Sequence, residues 1–205
     1  MPDVPDTPRG PVVPPGHHPP PRADAVLPTV LTYLQMVEPP ARPPAARQPA
    51  PDVELRRVFE PSVTLDRWLY NAVGRPWLWY ERNQMPDDWL LAYLRDPGVE
   101  LWTLTIGGEI AGYAELDSRQ WPDVELAYFG VLPAVIGKGY GPWMLDRLID
   151  IVWARGPKRF WVHTNLLDHP RALDRYKRAV FVAYKTEAVE YRDPRVLWPD
   201  SYPWP

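Results

Sequence analysis

Three glycines punctuate five residues, Gly137-Lys138-Gly139-Tyr140-Gly141, between two stretches of opposite periodicity. Before them runs Val124–Leu132, apolar and short enough for a strand. After them Met144, Leu145, Leu148, Ile149 and Val152 recur at helical spacing, and Gly156-Pro157 closes the run. A strand that turns through glycines straight into a helix needs backbone angles other residues avoid. It also points the helix's unpaired N–H groups and positive dipole end at the turn. This feature predicts an α/β chain and a site fit for a pyrophosphate. A Walker loop would need Ser or Thr after Lys138, where Gly139 stands, and a dinucleotide fingerprint would need glycine at Pro142. A shorter G-x-G-x-G turn is left, and a tight turn without ligand fits it as well.

Around this unit the pattern predicts a mixed α/β domain. Val26–Met36 and Val53–Phe59 read as strands. Ser62–Val73 reads as a helix capped by Ser62 and stopped by Gly74, and about Pro86–Arg95 as a second, with Pro86 in its first turn. Leu101–Ile106 and Glu109–Leu116 flank Gly107-Gly108 as a hairpin. Phe160–His163 and Val182–Tyr191 read as strands around a helix Pro170–Val180, whose apolar face is Ala172, Leu173, Tyr176, Ala179 and Val180.

Proline divides the 205 residues. Sixteen of 29 prolines lie in residues 1–52, whereas every tryptophan lies from Trp68 onward. Residues 1–23 are therefore expected to be a disordered or polyproline-II-like tail, 24–52 a first strand with a Pro/Ala-rich linker, and 53–205 the main domain. The pair His17-His18 is expected to be solvated rather than a metal site. Pro11–Pro14 gives a P-x-x-P pattern that an SH3-like or WW-like partner reads, an alternative role for the tail. A net charge of −3 offers no broad basic field for nucleic acid. The absence of cysteine excludes disulfides, thiolate nucleophiles and Cys-ligated zinc, and no metal site is expected. The chain shows no secretory h-region and no uncharged apolar run of bilayer length, so the expectation is a cytoplasmic protein without membrane contact.

Two segments carry a family resemblance. Glu125–Pro133 followed by Ile136-Gly-Lys-Gly-Tyr-Gly141 resembles the acetyl-CoA motif of the GNAT superfamily of N-acyltransferases. Ala172-Leu-Asp-Arg-Tyr176-Lys-Arg-Ala-Val-Phe181 is similar to its A-x-x-x-Y-x-x-x-G-F. The resemblance covers roughly residues 53–191. It implies a mostly antiparallel central sheet flanked by helices and an acetyl group passed from acetyl-CoA to the amine of a small molecule or protein. A CoA-binding regulatory module without turnover is the alternative. Three positions depart from the family: Ile136 replaces Gln or Arg, His169 replaces Asn, and Val180 replaces the helix-ending glycine.

The resemblance also assigns residues. Phe129, Gly130, Val131, Ile136, Gly137, Lys138, Gly139, Tyr140, Gly141, Pro142, Asn165 and His169 are expected at acetyl-CoA, with Arg171 and Arg175 near its outer phosphates. The backbone N–H near Val131 is expected to meet the developing oxyanion, provided its strand splays from a neighbour. Tyr176 takes the place of the family's general acid, and a tyrosine's reference pKa of about 10 lies near a thiol's, about 8.5. Glu125 is the candidate base, with Asp123, His163 and His169 behind it; a solvated strand-end carboxylate is the plainer reading of Glu125. Trp68, Tyr70, Trp77, Trp79 and Tyr80 are expected to wall the acceptor site, though such rings equally suit a core or a homodimer contact.

Overall fold

A computed structural model describes residues 18, 20–45, 48 and 50–201. A seven-stranded sheet runs in the order β2-β3-β4-β5-β6-β1-β7. Its strands are β1 (Val26–Met36), β2 (Val53–Val58), β3 (Val99–Ile106), β4 (Glu109–Asp117), β5 (Asp123–Val131), β6 (Arg159–Asn165) and β7 (Val182–Arg192). All neighbours are antiparallel except β5 and β6. The helices are α1 (Val63–Gly74), α2 (Glu81–Gln84), α3 (Asp87–Leu94), α4 (Tyr140–Trp153), α5 (Ala172–Arg178) and α6 (Pro194–Leu197). This is the mixed, mostly antiparallel sheet flanked by helices that the sequence predicts. Among the described residues no helix is long and apolar enough to cross a membrane.

The core forms where the stripe of α4 meets the sheet. Met144, Leu145, Leu148, Ile149 and Val152 are all fully buried, together with Phe160 of β6. Burying such side chains contributes about 1.5–3 kcal/mol each, an upper estimate against a compact unfolded chain. Ser62 caps α1 as its spacing predicts, its Oγ accepting from Leu65 N at 3.1 Å.

Four expectations change. Gly74 does not stop α1 by a left-handed turn: it has φ −91° and leads into a 3₁₀ turn over Arg75–Trp77. Its glycine is required because a Cβ there would overlap the Trp79 ring. Pro86 is the N-cap of α3 rather than a first-turn residue, with φ −55° and ψ 145°. Helix α5 is shorter than 170–180, and Val180 leaves its apolar face: it adopts φ +64° and is 53% exposed. Phe181, 2% exposed, packs in its stead. Finally, His18 is buried rather than solvated, its Nε2 donating to the Pro76 carbonyl at 2.9 Å. The rest of the expected tail, residues 1–17 and 19, lies outside the described residues, as does His17.

Candidate active site

Strands β5 and β6 part almost as soon as they meet. They pair only through Asp123↔Arg159, Val124↔Phe160 and Glu125↔Trp161. The cause lies in β5. Leu116 faces Leu126 and Glu115 faces Tyr128, so Ala127 is an extra residue. Such a bulge bends the strand that carries it. Beyond the bulge β5 bonds only to β4. Leu132 N donates to Ala111 O at 2.8 Å. Amides alternate along a strand, so the N–H groups of Val131 and Phe129 point away from β4 into the opening.

Two cavities meet at this opening. The first, about 280 Å³, lies between β5, the glycine turn and α5. Phe129, Gly130, Val131, Ile136, Gly137, Gly139, Gly141 and Pro142 line it, and so do His169, Arg171, Arg175 and Tyr176. The second, about 350 Å³, lies toward α2 and α3, and Glu81, Arg82, Tyr93 and Glu125 line it. Trp79, Ala127, Tyr128, His163 and Asp168 line both and form the wall between them.

The glycine turn supplies an anion cradle. Gly137 and Gly139 have φ +85° and +89°, angles that other residues rarely adopt, and a Cβ on either would stand in open space. Gly139 caps α4. Trp143 N is the first amide of the helix to find an intrahelical acceptor, Gly139 O, and Pro142 has no N–H. The amides of Gly139, Tyr140 and Gly141 thus face the turn without intrahelical partners. With Arg171, the N-cap residue of α5, and Arg175 within it also lining the cavity, the donor set fits a pyrophosphate. Lys138 is exposed and Tyr140 packs on the core; neither lines the cavity.

The titratable groups divide between the cavities. Glu125 Oε1 lies 3.4 Å from His163 Nδ1, an ion-pair contact rather than a well-formed hydrogen bond. Burial pulls the His163 pKa down, but the Glu125 carboxylate, with Asp168 and Glu81 further off, outweighs it and raises the pKa above its ordinary value. Tyr176 is 7% exposed, between the rings of Phe129 and Phe181. Burial first, and the charge of Asp168 second, raise its hydroxyl far above the usual tyrosine range. It stays protonated at neutral pH and is a weaker acid than an ordinary tyrosine. The Nδ1 of His169 accepts from Arg171 N at 3.1 Å, which places the ring's proton on Nε2 as a donor.

Other expected residues stand elsewhere. Asn165 lines the second cavity, not the first, and its Oδ1 accepts from Leu167 N at 2.7 Å. Asp123 is held by Arg159 at 2.6 Å. Of the aromatic wall, Trp77 and Trp79 line the first cavity and Trp79 also the second, whereas Trp68, Tyr70 and Tyr80 line neither. Tyr70 is fully buried and donates to Glu81 Oε2 at 2.7 Å; Tyr80 stacks near Trp198. Sequence reasoning missed the Glu81-Arg82-Tyr93 side. These residues sit on short helices whose four- and eight-residue lengths leave no readable stripe.

Residues 65–180 match the model of the acetyltransferase (GNAT) family. No curated protein sequence matches the chain. Among solved structures, a functionally unknown conserved protein from Staphylococcus epidermidis superposes with a TM-score of 0.61 at 16% identity, over 82% of this chain and 63% of that one. A GCN5-related N-acetyltransferase from Sphaerobacter thermophilus gives 0.56 at 16% identity, over 79% and 50%. An aminoglycoside acetyltransferase from an uncultured soil metagenomic sample gives 0.52 at 14%, over 62% and 86%. The chain thus spans 63% and 50% of the first two proteins' lengths, and these likenesses speak for the fold alone. The family match covers more than half of the chain: the protein belongs to the acetyltransferase (GNAT) family.

Proposed function

We propose that the protein is an N-acetyltransferase that moves the acetyl group of acetyl-CoA to an amine by direct attack in a ternary complex. One observation carries this reading: two cavities, one with an anion cradle and one without, meet across a wall that holds His163. The donor, a thioester, supplies the activated acyl carbon. The amides of Gly139–Gly141, with Arg171 and Arg175, hold its pyrophosphate, and His169 Nε2–H donates to the pantetheine arm. Ile136 adds only apolar contact there. The N–H groups of Val131 and Phe129 meet charge developing on the carbonyl oxygen.

The acceptor's amine occupies the second cavity. Its nitrogen bonds to the acyl carbon as the carbon–sulfur bond breaks. The Glu125–His163 pair takes the amine's proton. Tyr176 hydrogen-bonds the departing sulfur through its O–H and gives its proton as charge builds there, against the burial that disfavours the tyrosinate left behind. The acceptor is a small-molecule or protein amine, as in the aminoglycoside acetyltransferase that shares the fold.

Thiol release from acetyl-CoA across a panel of amines, with the mass of the product, tests the reading. An N-acetyl product from at least one amine class is expected. Tight acetyl-CoA binding with no thiol release from any amine would assign a ligand-binding module instead.

A further inference from the structure

The wall between the cavities is held by a set of contacts that the reaction scheme leaves unused. Trp79 Nε1 donates to Asp168 Oδ1 at 3.0 Å, bridging the loop after α1 to the end of β6. Asp168 Oδ2 accepts from Thr164 Oγ1 at 2.8 Å and from Asn165 N at 3.0 Å. The carboxylate is therefore fixed to the strand that carries His163 through Oδ2, and Oδ1 fixes the indole. The chain goes to some lengths to place that indole. Leu78, just before it, sits at φ +63°, a conformation that is costly for a non-glycine residue. Gly74 has no side chain where the ring lies. Trp79 N donates to Gly74 O at 3.2 Å, and the ring packs against Tyr70 and Tyr128 at 5.5 and 5.3 Å. Both Trp79 and Asp168 line both cavities.

We propose that Asp168 is a positioning residue: it latches Trp79 into the wall between the donor and acceptor cavities, so that the acceptor amine meets the acyl carbon beside His163. The inference rests on the N-acyl transfer reading above. A hydrogen bond from a neutral donor to a carboxylate is worth enough to hold a ring of this size in one orientation. Without it the indole turns about its side-chain torsions, the wall opens, and the acceptor loses its near-attack placement. The cradle at the glycine turn lies at the other end of the first cavity, and the latch does not touch it.

The test uses the full chain and three variants: Trp79→Phe, which keeps a ring and loses the N–H; Asp168→Asn; and the double variant. With an accepted amine, each single variant is expected to lower kcat/KM for the acceptor by about tenfold, while calorimetry gives acetyl-CoA affinity within about threefold of wild type. The double variant is expected to lose less than the product of the two single losses, since both variants weaken the Trp79–Asp168 bond while Asp168→Asn also disturbs the bonds from Thr164 and Asn165. Losses that multiply, or kcat/KM unchanged in folded Trp79→Phe, overturn the latch. A second readout needs no turnover. In ¹⁵N-tryptophan-labelled protein the Trp79 indole signal, identified by its loss in Trp79→Phe, is expected to exchange with solvent about tenfold faster in Asp168→Asn than in wild type. Equal exchange overturns the latch. Wild-type inertness toward every amine, with slow indole exchange preserved, would refute the acyl-transfer reading and leave the latch standing.

Discussion

Val180 shows how much one residue reveals about α5. Its N–H donates to Lys177 O, and Phe181 N–H donates to Tyr176 O, both at 3.0 Å. That is the double bond of a Schellman turn, with Val180 at the left-handed position that glycine prefers. The family's glycine is thus missing but its backbone is kept, and a β-branched residue bears the cost, roughly 1–2 kcal/mol. Val180 is 53% exposed, so its removal sacrifices little packing. Val180→Gly is therefore expected to raise stability by about 1 kcal/mol, read as a higher urea midpoint at unchanged slope. An unchanged or lowered midpoint would mean the valine's contacts outweigh its strain. The same turn packs Phe181 against Tyr176, with ring centroids 5.9 Å apart, and so aims the hydroxyl into the first cavity. Tyr176→Phe keeps this packing. Its melting temperature and acetyl-CoA affinity are expected to stay near wild type while turnover falls by roughly 10²-fold. Full activity in that variant would leave water to protonate the sulfur.

At the scale of elements, the turn and the bulge set the site. Gly139→Glu would put a side chain and a negative charge into the cradle and force a non-glycine residue to φ +89°. Acetyl-CoA binding, measured by calorimetry on folded protein, is expected to be lost; retained affinity would place the phosphates elsewhere. The last register pair of β5 and β6, Glu125↔Trp161, puts Glu125 beside His163 two residues on and gives the contact a pH signature. Glu125 raises the His163 pKa above 6.5, so the acidic limb of the rate profile is expected above that pH. Glu125→Gln removes the carboxylate, leaves burial to act alone, and moves the limb to lower pH as turnover falls. An unshifted limb would remove Glu125 from the base. These elements differ in how far the sequence exposes them. The stripe of α4, the Gly107-Gly108 hairpin and the glycine turn are local patterns, and they read directly. The extra residue at Ala127 is not local: it exists only relative to Glu115 and Leu116 on β4, and no run of apolar residues announces it. His163 therefore reads as one of several fallback bases until the pairing of β5 and β6 is known.

Across the whole molecule the same limit recurs. The mostly antiparallel sheet follows from the resemblance, but the place of β1 between β6 and β7 is a long-range fact. The acceptor side was the least legible. Of the expected aromatic wall, Trp68, Tyr70 and Tyr80 serve the packed interior instead, while Glu81, Arg82 and Tyr93 reach the cavity from helices too short to show a face. What joins the two halves is the opening between β5 and β6, where a donor held by the turn and an acceptor held near α2 come together. A crystal structure of the protein with acetyl-CoA tests this account most directly. The pyrophosphate is predicted within hydrogen-bond distance of the Gly139, Tyr140 and Gly141 amides, with the pantetheine arm running between β5 and β6 and the thioester beside His163. Acetyl-CoA bound outside that opening, or an opening that closes to exclude it, would contradict the account.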